Sequence, residues 1–119
     1  MIYDLNLNII PDGYIPIVHI SQYDTDRILH IYPRLNEEAY AFDPQNTAFW
    51  LYGKRPDKEN FDQSIDIHQD GYIYLTLTEE ATAVPGDVYC IVEMIESGTN
   101  RTGSQAFILR VQEDAKGDL

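Results

Sequence analysis

Cysteine is nearly absent: Cys90 stands alone among 119 residues, so no disulfide can form within the chain. Basic residues are scarce as well, eight lysines and arginines against twenty aspartates and glutamates, for a formal charge of −12. A chain of that sign repels phosphate backbones and anionic lipid surfaces, which excludes nucleic acid and membrane as partners. No apolar run approaches the roughly 20 residues that a membrane-spanning helix needs. The opening "MIYDLNLNIIPDG" has neither a basic start nor a long apolar core, so it does not read as a signal peptide. Also missing are a G-x-S-x-G nucleophile turn, a glycine-rich phosphate loop and any cysteine beside a base.

Short alternating runs of aromatic and β-branched residues, each closed by Pro, Gly, Asn or Asp, take the place of these features. In "YDLNLNI" Tyr3, Leu5, Leu7 and Ile9 share one face. "YIPIVHI" follows a turn at Pro11-Asp12-Gly13, and Pro16 predicts an edge strand or a bulge because proline cannot donate to a ladder. "RILHIYPRL" sets Leu29 and Ile31 against Ile28, His30 and Tyr32. "TAFWLYGKR" alternates Phe49 and Leu51 with Ala48, Trp50 and Tyr52, and Trp50 is expected to fill the core. In "FDQSIDI" Phe61, Ile65 and Ile67 have one parity, and Asp70-Gly71 is a hairpin signal. After it Ile73, Leu75 and Leu77 are expected inward, and Tyr72, Tyr74 and Thr76 outward.

"TEEATAVPG" interrupts this alternation. Thr78 is placed to N-cap one helical turn near residues 79–83, with Glu79 and Glu80 at its positive end and Pro85-Gly86 ending it. The turn carries the chain from one sheet to the next strand, "VYCIVEMI", in which Cys90 acts as a small core hydrophobe. "QAFILRV" is the last strand. Seven to eight short strands in about 110 residues predict an all-β domain, an immunoglobulin-like antiparallel β-sandwich. The domain is expected to span residues 1–112, with 113–119 a polar tail or the start of a linker.

Constellations that could carry chemistry are thin. His19, His30 and His68 lack the close spacing of metal ligands, and Asp24 and Asp26 depart from a calcium loop at the third position, where Ile28 stands. Asp57, Glu59, Asp62, Asp66 and Asp70 read as a solvated face. No catalytic residue, metal site or cofactor site is assigned, and an enzyme is not expected. Nine tyrosines and Trp50 raise the alternative of a carbohydrate-binding module for host cell-wall sugars, since exposed rings stack on sugars.

Four features in order, Gln22-Tyr23-Asp24, Lys54-Arg55-Pro56-Asp57, Thr82-Ala83-Val84-Pro85-Gly86 and Phe107 to Val111, resemble the N-terminal domain of the phage baseplate upper protein family (BppU). The likeness runs from about Asn6 to Val111. It implies an attachment module in the tail of a phage or prophage, which anchors a baseplate upper protein to the tail core and helps to position receptor-binding proteins. The implied partners are distal-tail and receptor-binding proteins, and the implied location is the virion tail or baseplate after synthesis in the host cytoplasm. The family offers no catalytic residues to carry over. Its members usually continue past this domain into a helical linker and further domains, and the resemblance implies that the full-length protein is a trimer, with the state of the isolated domain left open. Tyr23, Arg55, Tyr72 and Tyr74 are the candidate partner contacts, because Tyr and Arg commonly anchor interfaces.

Overall fold

Inward-facing apolar residues alternate along nearly every strand of the computed structural model, which describes residues 2–9, 14–23, 27–35, 38–67, 73–98 and 100–113. In chain order the elements are β1 (Ile2–Asn8), β2 (Ile17–Ser21), β3 (Ile28–Leu35), β4 (Glu38–Ala39), β5 (Thr47–Lys54), β6 (Asn60–Ile67), β7 (Ile73–Thr76), α1 (Glu79–Thr82), β8 (Gly86–Glu96), β9 (Asn100–Gly103) and β10 (Phe107–Gln112). They build an all-β sandwich. One layer runs β1-β3-β7 with β4 beside β3; the other runs β5-β8-β10-β2 with β9 beside β8.

β6 belongs to both layers. Asn60 to Ile65 pair with β5, while Asp66 and Ile67 pair with β7. The Gln63 side chain reinforces the crossing, its Nε2 donating to the Thr76 carbonyl at 2.7 Å.

The sheets are mixed rather than wholly antiparallel, as β1 pairs with β3 and β2 with β10 in parallel. The reason lies in the connections. The chain leaves β1, crosses to the other layer for β2 and crosses back for β3; each crossing reverses it, and two reversals restore its direction. Two very short strands, β4 and β9, bring the strands to ten among the described residues.

The expected alternation is otherwise observed. Leu5 and Leu7, Leu29 and Ile31, Phe61 and Ile65, and Ile73, Leu75 and Leu77 are all buried. Cys90 is buried with them. Pro16 immediately precedes the edge strand β2, where its carbonyl accepts from the Ile108 amide at 2.9 Å. Trp50 is a correction: it is half-buried on the outer side of β5, and Phe49 and Leu51 fill the core instead. Side chains alternate along a strand, so once that pair points inward Trp50 must point out.

α1 spans Glu79–Thr82, where one turn was expected, and buries Ala81 and Thr82. Thr78 occupies the N-cap position with extended backbone, and its carbonyl accepts from the Ala81 amide, but its hydroxyl makes no capping bond. Core docking, not capping, holds this turn. The turns read at Pro11–Gly13 and Asp70-Gly71, together with Asp24, Asp26 and the tail from 114, lie outside the described residues.

Candidate binding surfaces

The sandwich end that carries α1 brings together segments far apart in sequence. The Gln22 amide donates to the Gln112 carbonyl, its side-chain Nε2 to the Ala83 carbonyl, and the Tyr23 amide to the Thr82 carbonyl. From the other side Arg55 Nη1 donates to the Glu80 carbonyl at 3.3 Å. Gly86 has φ +119, and a Cβ there would lie 2.9 Å from Pro56 Cγ, so glycine permits both the backbone turn and the close approach of Pro56. Residues 22–23, 55–56, 80–86 and 112 are thereby tied into one cluster.

Two of the sequence-predicted contacts sit in this cluster. Tyr23 is half exposed and has φ +66, a left-handed conformation that is uncommon outside Gly, Asn and Asp. Three hydrogen bonds from residues 22 and 23 to distant carbonyls hold it there. Arg55 is largely covered and clasps Asp57 in a fork, Nε to Oδ1 at 3.1 Å and Nη2 to Oδ2 at 2.5 Å. That fork holds the Asp57 carboxyl below the usual range.

Tyr74 lies elsewhere, on the outer face of the β1-β3-β7 layer. Its ring meets the His30 ring edge to face at 4.4 Å. On the same face Asp4 Oδ1 lies 3.7 Å from His30 Nδ1 and accepts a hydrogen bond from the Tyr32 hydroxyl at 3.3 Å. Burial, followed by the Asp4 charge, raises the Tyr32 hydroxyl above its ordinary pKa. Tyr72 lies outside the described residues, and so does His68. Of the three described contacts, Tyr23 and Arg55 share the α1 cluster and Tyr74 lies on the other face.

Sequence reasoning missed the outer face of the β5-β8-β10-β2 layer. Trp50 and Tyr52 on β5, Tyr89 and Ile91 on β8, Ile108 on β10 and Ile17 on β2 all point outward and stay at least partly exposed. The register makes them contiguous: Tyr52 stands opposite Ile91, Tyr89 opposite Ile108, and Ile108 opposite Ile17. Alternation on β5 and β8 could have exposed this band, had Trp50 not been assigned inward.

Burial pushes the Cys90 thiol up to about 12, which leaves almost no thiolate at neutral pH. Among the described residues no group of three or more His, Cys, Asp or Glu side chains could hold a metal ion. None of their helices is long and apolar enough to cross a membrane. What the molecule presents is contact area: a clamped pole around α1 and an aromatic and aliphatic sheet face.

The class these features define is an all-β sandwich domain. Its fold is similar to that of a solved structure, the N-terminal domain of phage TP901-1 ORF48, with a TM-score of 0.71 at 11% identity, over 94% of this chain and 99% of that one. No family model matches the chain, and no curated protein matches it in sequence.

Proposed function

We propose that this domain is a structural attachment module of a phage or prophage tail or baseplate. It anchors a baseplate upper protein to the tail core and helps to position receptor-binding proteins, acting by contact rather than catalysis. The observation that carries this reading is the fold likeness to a domain of a phage protein along almost the whole chain. At 11% identity that likeness owes little to shared residues, so it supports the sequence resemblance from a separate direction. The clustering of the resembling segments around α1 adds to it, because residues distant in sequence are joined there into one surface.

The test is a binding measurement between the purified domain and a purified distal-tail protein of the same phage, together with mass spectrometry of purified virions. Saturable binding and presence in the tail fraction are expected. No binding to any tail component and absence from virions would sink the reading.

A second reading, a carbohydrate-binding module for cell-wall sugars, is favoured by the outward rings of Trp50, Tyr52 and Tyr89. Titration with host cell-wall polysaccharide, followed by Trp50 fluorescence, would show a saturable change if it holds.

A further inference from the structure

The outer face of the β5-β8-β10-β2 layer combines two properties. It is apolar across four strands, running from Trp50 and Tyr52 through Ile91 and Tyr89 to Ile108 and Ile17. It is also electrically balanced. The charged side chains described on and beside it are Arg27, Lys54, Arg101 and Arg110 against Asp62, Glu80, Asp87 and Glu93, four of each sign in a chain of net charge −12. Four of the eight are already paired. Arg110 grips Asp87 through Nε at 2.9 Å and Nη2 at 3.1 Å, and Arg101 Nη1 donates to Glu93 at 2.7 Å.

We propose that this face joins two copies of the chain in a two-fold dimer. Two chains of −12 can approach closely only where no net charge meets its like, and this is such a face. Mixed signs arranged in cross-strand pairs are self-complementary under a two-fold axis, so each Arg110–Asp87 pair can face the paired charges of the other copy. A sugar fits less well. Beyond the rings the band is aliphatic, with Ile91, Ile108 and Ile17, and four of the charged groups are engaged with each other, which leaves few polar atoms for hydroxyls. With strands roughly 4.8 Å apart and outward residues roughly 7 Å apart, the band measures about 20 Å by 20 Å. That is about 400 Å² on each copy, below the standard size of a stable interface and in the range of transient contacts, so the dimer is weak, with a dissociation constant on the order of 10–100 μM. This inference stands apart from the tail assignment and survives or fails without it.

Sedimentation equilibrium of the whole chain tests it, up to about 1 mM protein and in about 20 mM and about 500 mM salt. The expected result is a monomer–dimer equilibrium that tightens several-fold at the higher salt, because screening weakens the long-range repulsion between like-charged chains. Tyr89→Glu should weaken it at least ~10-fold, whereas Thr76→Glu on the opposite layer should leave it unchanged. Tyr89 is half exposed, so its variant should melt as the wild type does; Tyr52→Ser provides a second, uncharged variant on the same face. A chain monomeric at every concentration and salt would overturn the proposal, and so would a dimer that both variants leave intact. A monomer whose Trp50 fluorescence responds saturably to cell-wall polysaccharide, and loses the response in Tyr89→Glu, would overturn it in favour of sugar.

Discussion

The cluster around α1 and the region around Gln105 solve the same problem, how to tie chain segments that are far apart in sequence, by opposite means. Around α1 the ties are many, and backbone shape does much of the work. Arg55 and Gln22 reach carbonyls of residues 80 and 83, while Pro56 lies against a glycine that has no side chain to obstruct it. Around Gln105 a single buried side chain does the work. Its Oε1 accepts from the Asn8 amide at 2.8 Å, its Nε2 donates to the Tyr14 carbonyl at 2.6 Å, and its own amide donates to the Asn8 carbonyl at 2.8 Å. The first arrangement spreads its dependence over several residues; the second concentrates it in one.

The comparison can be broken hardest where steric room is absent. Beside the α1 cluster, Gly53 lies under the Phe61 ring, and a Cβ there would collide with the ring's Cζ and Cε1. Gly53→Val forces that buried ring out and should destabilise the fold by about 3 kcal/mol, seen as a lowered urea midpoint. Gln105→Ala comes next. It removes the side-chain hydrogen bonds to the Asn8 amide and the Tyr14 carbonyl, and a loss of about 2 kcal/mol is expected by the same assay. Gly86→Ala should cost about 1–2 kcal/mol, since Ala must hold φ +119 while meeting Pro56. A loss equal to that of Gln105→Ala would mean that the α1 cluster is as concentrated as the other region.

Smaller effects sharpen the contrast. Tyr23→Gly relieves a left-handed tyrosine and should raise stability by about 0.5–1 kcal/mol. If tail binding falls as stability rises, the strained ring is kept for contact. pH gives the least effect. The hydrogen bonds of Arg55 and Arg110 hold Asp57 and Asp87 below the ordinary carboxylate range. Their folded pKa lies below the unfolded one, so the stabilisation is present above the unfolded value and lost as pH falls through the folded one. Both carboxylates meet solvent, so a melting series should show only a slight loss from about pH 4 downward, and Asp87→Asn should flatten it.

How far the molecule was legible follows from what each residue announces locally. Parity is local information: Ile73, Leu75 and Leu77, or Phe61 and Ile65, reveal their face by spacing alone, and the fold class follows from many such runs. The helical turn was legible for the same reason, in Glu79 to Thr82 before Pro85-Gly86. Parallel pairing was not, because it depends on which layer the chain crosses to between β1 and β3. Trp50 misled because size suggested burial, while its neighbours Phe49 and Leu51 had already claimed the inner face. Gln105 was invisible, since nothing near it in sequence marks a glutamine whose partners are Asn8 and Tyr14. Of the candidate contacts, Tyr23 and Arg55 meet around α1 only through long-range bonds, and Tyr74 belongs to another face. Spacing along the chain carries no trace of either fact.

One strand shared between two layers has a mechanical consequence. Because β6 is laddered to β5 along most of its length and to β7 at its end, the hydrogen-bonded path from β1 to β2 is unbroken. Tension applied to either layer is therefore passed to the other through continuous main chain, not through side-chain packing alone. A body 49 Å long and about half as wide, wired in this way, yields as a unit under load and not by one sheet sliding over the other.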